Sequence, residues 1–111
     1  MTGNNAITKR LENEVNLLER HVKMLKTIKE NQPIGIIRLA ELMGHPQHKV
    51  RYSLRILEQE GLILPSPDGA ITTEKFDEFM NDLDNLLDDM EKAVNRLKIE
   101  PAIVPIYFHL R

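Results

Sequence analysis

Between Pro46 and Leu57 the chain carries Gln47, His48, Lys49, Arg51, Tyr52 and Arg55, and not one carboxylate. Val50, Leu54 and Leu57, spaced by four and three, turn inward as one helical stripe and leave those six on the outer face. Their chemistry suits duplex DNA: an arginine fork pairs with guanine, a glutamine amide with adenine, and lysine with phosphate. A merely solvated helix usually mixes both signs of charge, so an acid-free face reads as a nucleic-acid surface. The competing reading is a protein-docking face. Tyr52 also suits packing against its own fold, and Arg51 or Arg55 could pair with Glu58 or Glu41. Such exposed pairs contribute only about 0–1 kcal/mol.

Other chemistries find little support. His45 and His48 are three apart, but the chain has no cysteine and Glu41 is the only acid nearby, so no metal site is expected. There is no Gly-rich phosphate loop, metalloprotease helix motif or activated-nucleophile signature. The expectation is a non-enzyme without a cofactor.

The elements that must position the basic face can be read along the chain. Residues 6–31 form a first helix, with Leu11, Val15, Leu18, Val22 and Leu25 on one seam, Asn4 or Asn5 as cap and Pro33 as terminator. The seam spans two heptads, too short for a coiled coil, and suits a helix packed partly on its own domain and partly on a partner. A short second helix covers 34–43, with Ile36, Ile37, Leu39, Ala40, Leu42 and Met43 as its buried positions, and ends at Gly44 in a left-handed cap. Pro46 opens the third helix at its first position, and Gly61 closes it. Leu62-Ile63-Leu64, the turn-rich Pro65-Ser66-Pro67-Asp68-Gly69 and Ala70-Ile71-Thr72 predict a two-stranded hairpin. Thr72 or Thr73 then caps a long fourth helix.

The segment from Leu39 to Ile63 resembles the winged helix-turn-helix transcriptional regulators of bacteria and archaea, broadly the MarR-like, ArsR-like and PadR-like group. Leu39, Ala40, Gly44, Val50, Leu54, Leu57, Glu58, Gly61, Leu62 and Ile63 fall on the pattern that joins the group's second helix, recognition helix and first wing strand. Met43 stands where that pattern has a second Leu. The resemblance covers about residues 20–75 and implies major-groove reading by the helix at about 46–60. One departure bears on mechanism: there is no basic residue between Leu62 and Glu74, and Asp68 sits at the hairpin tip. The wing therefore adds shape and little charge, and Lys26, Lys29 and Arg38 become the candidates for backbone contacts.

Composition bounds the reading. With 111 residues, 41% hydrophobic and 29% charged, the chain suits one core rich in helix, packed with aliphatic side chains because aromatics are only 5%. The net charge of −2 hides an asymmetry, with residues 1–57 at +5 and residues 58–111 at −7. Two surfaces with different partners are one consequence; two solvated faces are the plainer one. No signal-peptide start and no stretch long enough for a bilayer is evident, so a soluble cytoplasmic protein without a membrane partner is expected.

The acidic half is dominated by the fourth helix, whose run from Glu74 to Lys92 holds eight acids and two lysines. Phe76, Leu83, Met90 and Leu97 recur every seven residues, Phe79 and Leu86 fill the d positions, and Met80, Leu87 and Val94 lie beside them. That stripe predicts a homodimer interface. In the tail, Ile106, Phe108 and Leu110 alternate with Tyr107, His109 and Arg111, the period of a strand, which is expected to pack against the dimer or to mark where a longer chain was cut.

The expected architecture is mainly α with a small β-hairpin wing, a winged helix-turn-helix flanked by long N- and C-terminal helices. Residues 1–73 form the DNA-binding domain, 74–98 the dimerisation helix and 99–111 an apolar tail. The expected function is a homodimeric, sequence-specific regulator binding double-stranded DNA through Gln47, His48, Lys49, Arg51, Tyr52, Arg55 and Arg38. The alternative is a winged-helix protein-interaction module without specific DNA binding.

Overall fold

The computed structural model describes residues 5–98; the anticipated strand around Ile106–Leu110 and a cap from Asn4 lie outside them. The elements are α1 (Ala6–Asn31), α2 (Ile36–Met43), α3 (Gln47–Gln59), β1 (Ile63–Ser66), β2 (Gly69–Thr72) and α4 (Phe76–Leu97). The mainly α architecture with a hairpin wing is the one expected. The chain divides into two compact units after Phe76.

In the first unit the core is aliphatic. Met24, Leu25 and Ile28 of α1 meet Leu39, Ala40 and Met43 of α2, Val50 and Leu57 of α3, and Leu62 and Ile63 at the start of the hairpin. Burying each large side chain contributes roughly 1.5–3 kcal/mol before entropy is subtracted. Only the C-terminal half of α1 takes part. Leu11, Val15 and Leu18 are exposed, Val22 is half-buried, and of the anticipated seam only Leu25 is buried.

Local chemistry sets the helix ends. The Asn5 side chain accepts the Thr8 amide and caps α1. Gly44 closes α2 in the left-handed region (φ 69°), its amide bonded to the Ala40 carbonyl. Pro46 is the N-cap of α3, one residue earlier than its expected role as first helical residue. Its φ of −66° suits a helix, but its ψ of 151° is extended. On α2, Ile37 and Leu42 were expected inside and are exposed instead. A helix of eight residues turns one narrow stripe to the core, and Leu39, Ala40 and Met43 occupy it.

β1 and β2 pair antiparallel, with Ile63 opposite Thr72 and Ser66 opposite Gly69, leaving Pro67-Asp68 as the turn. A further pairing ties the hairpin to the α1–α2 linker. Ile34 donates to the Ala70 carbonyl at 3.2 Å and accepts the Ala70 amide at 2.8 Å. Beside it, Gln32 Oε1 accepts both the Thr72 amide (2.7 Å) and the Thr72 hydroxyl (3.0 Å). Gly69 permits the approach, because a Cβ there would overlap the Ile34 backbone.

In the second unit, α4 opens with Asp77 and Glu78 in its first turn and has Arg96 in its last, each complementing the helix dipole. Among the described residues no helix is long and apolar enough to cross a membrane.

Candidate nucleic-acid interface

α3 presents its outer face between two supports. On one side α1 packs against it; on the other, Leu54 and Glu58 line a recess with Ile63, Pro65 and Ser66 of the hairpin. Val50, Ser53 and Leu57 are buried on its inner face. Gln47, His48, Lys49, Arg51, Tyr52 and Arg55 are all exposed. Leu54, expected on the inner stripe, is half-buried, and the fully buried position beside it is Ser53.

Five of the anticipated residues converge. His48, Lys49, Arg51, Tyr52 and Arg55 line one open hollow of about 690 Å³, together with Leu17 and Arg20 of α1. Gln47 touches this group through its Oε1, 3.4 Å from an Arg51 guanidinium nitrogen. Arg38 does not join them: it lines a separate recess with Asn31, Pro33, Ile34 and Gly35.

A polar cluster locks α3 to α1 behind this face. Arg20 Nε donates to the Ser53 hydroxyl at 2.9 Å, and that hydroxyl lies 2.9 Å from His21 Nδ1. The hydroxyl accepts from the arginine and still has both a proton to donate to Nδ1 and a second lone pair to accept from it, so the ring's tautomer sets the direction of that bond. Burial, and next the positive charge of Arg20, hold the His21 pKa below the ordinary histidine value. Tyr52 packs over this cluster, its ring 6.1 Å from that of His21 and 5.9 Å from the Arg20 guanidinium carbon. Tyr52 therefore packs one face on its own fold and keeps part of its ring exposed.

Beside the hollow, α1 and the start of α3 enclose a second cleft of about 510 Å³. Arg20 and Lys23 line it from α1, His45 from the α2–α3 turn and Lys49 from α3, with Glu19 as its one acid. Burial and then the fields of Arg20, Lys23 and Lys49 lower the His45 pKa. Arg20 and Lys23 were absent from the expected site. Their spacing of three on a helix was visible, but nothing local says that this edge of α1 borders α3.

On α4, Leu83 is buried and Phe76, Phe79 and Met80 are half-buried, whereas Leu86, Leu87, Met90, Val94 and Leu97 are exposed. Among the described residues no three His, Cys, Asp or Glu side chains converge to hold a metal ion.

No protein-family model matches the chain. No curated protein is significantly similar to it. Among solved structures, the activation domain of the phage T4 transcription factor MotA is similar in fold. The TM-score is 0.54 at 24% identity, over 71% of this chain and 83% of that one. At that identity the likeness is one of architecture.

Proposed function

We propose that this chain is a transcription regulator that binds specific duplex DNA sequences as a homodimer, with α3 in the major groove. The observation that carries the reading is the outer face of α3 from Gln47 to Arg55, a stretch without a carboxylate. Arg51, Arg55, Lys49, His48 and Gln47 are exposed together there, and a half-buried polar lock sets the helix against α1. Arg51 and Arg55 are the base-reading candidates, while Gln47 orients Arg51 and suits adenine. Lys49 and His48 suit phosphate, and Arg38 suits the backbone from its separate recess.

Dimerisation would supply the specificity that one short helix lacks, since two copies read both halves of a palindrome. The exposed aliphatic row of α4 supports a self-association surface, and the exposed Ile7, Leu11, Val15 and Leu18 of α1 offer a second. Five large side chains at roughly 1.5–3 kcal/mol each stand against an association cost of roughly 4–15 kcal/mol. A symmetric pair buries such a row twice.

A second reading has its own support. The wing carries no basic residue, and one solved structure of similar fold is the activation domain of a phage transcription factor. A protein-docking module of the transcription apparatus fits both facts. The two readings part on Arg51→Ala with Arg55→Ala in a folded protein. The DNA reading requires loss of a sequence preference that the unaltered protein shows, and on the docking reading the unaltered protein shows no such preference.

A further inference from the structure

We propose that the cleft between α1 and the start of α3 is a phosphate-binding site formed by Arg20, Lys23, His45 and Lys49. Three elements deliver these groups to one concavity of about 510 Å³: α1, the α2–α3 turn and α3. Glu19 is the only acid lining it, so the cations there outnumber the anions three to one.

Arg20 is held in advance. Its Nε is committed to Ser53 and its plane lies near the Tyr52 ring, which leaves the terminal guanidinium nitrogens as a fixed fork. A fork of that kind matches two oxygens of a phosphate, with less entropy lost than for a free side chain. Lys23 and Lys49 are exposed and supply point charges, and His45 supplies a ring N–H. Asn13 and Asn16 of α1 line the same cleft and add amide donors. A phosphate monoester or pyrophosphate offers three terminal oxygens at one phosphorus to this donor set, and a backbone phosphodiester offers two, in the spacing that a guanidinium fork matches. The fields of Arg20, Lys23 and Lys49 together oppose a charge on His45, so an anion bound among them relieves that opposition.

The phosphate has two possible sources, the backbone of a duplex lying on α3 or a free phosphorylated molecule. Only the first rests on the DNA reading above.

The test uses the full chain and inorganic pyrophosphate, followed by the NMR signals of the His45 ring at constant ionic strength. Saturable binding that raises the His45 pKa is expected. Lys23→Gln with Lys49→Gln should weaken it by at least about tenfold, near 1.4 kcal/mol. Lys9→Gln with Lys92→Gln, an equal change of charge elsewhere, should leave it within about twofold. Equal weakening in both pairs, or no saturable change at His45, overturns the site. Duplex binding then identifies the source. Displacement of bound duplex by pyrophosphate assigns the site to a backbone phosphate, and simultaneous binding assigns it to a free ligand. Pyrophosphate binding by a chain that binds no duplex keeps the site and removes the DNA reading. Duplex binding without any pyrophosphate effect does the reverse.

Discussion

Arg20 and Ser53, thirty-three residues apart, meet through a 2.9 Å hydrogen bond that joins α1 to the inner face of the basic helix. Ser53 is fully buried, and its one hydroxyl serves both Arg20 and His21. Ser53→Ala removes both bonds and leaves two partners that only water can satisfy. The expected cost is about 1 kcal/mol, read as a lower urea midpoint at unchanged slope. An unchanged midpoint would show that the lock contributes nothing to stability.

Acid should loosen the same joint. The folded chain holds the His21 pKa below its ordinary value of 6.5, so it binds fewer protons than the unfolded chain over that interval. Stability is therefore full above pH 6.5 and falls as pH drops toward the folded value. His45, lowered by burial and by Arg20, Lys23 and Lys49, acts in the same direction. Urea midpoints from about pH 7.5 down to about pH 5.5 should decline in the wild type and decline less in His21→Gln. Parallel declines would remove His21 from the account.

Gly69 sits at φ 133°, where a Cβ would strike the Ile34 carbonyl group. Gly69→Ala should cost at least about 2 kcal/mol by combining backbone strain with a broken Ile34–Ala70 pairing. Asp68→Ala, one residue earlier in the exposed turn, should stay within about 0.5 kcal/mol. Thermal unfolding of the two variants compares them directly. Equal effects would mean that the close approach is unimportant.

What the sequence made legible follows from where the signals are local. Gly44 and Pro46 punctuate the chain strongly, so the α2–α3 turn and the outer residues of α3 could be read directly. The apolar run after Gly61 and the turn residues marked the hairpin. The Ile34–Ala70 pairing was not legible, because a single bridged pair has no periodicity and depends on a glycine thirty-five positions away. Ser53 was missed because a serine beside an apolar stripe looks neutral until its partners on α1 are known. Ile37 and Leu42 misled because apolar residues filled more of a short helix than the core could cover. Arg20 and Lys23 resemble solvated cations until packing brings α3 alongside them.

The exposed row on α4 makes a prediction about assembly. Leu86→Asp with Met90→Asp puts two charges into a proposed aliphatic interface, one turn apart. Light scattering after size exclusion should give twice the chain mass for the wild type and a single chain mass for the variant. A monomeric wild type, or a variant that remains paired, would remove this surface from the proposal.

Specific DNA binding through α3 is open to direct test. The most direct measurement is selection from random duplexes, with bound fractions sequenced for the wild type and for Arg51→Ala with Arg55→Ala. The wild type should enrich a palindrome with half-sites roughly 34–36 Å apart, one turn of the duplex, and the variant should enrich none. No enriched sequence with the wild type, or the same palindrome with both proteins, would contradict it.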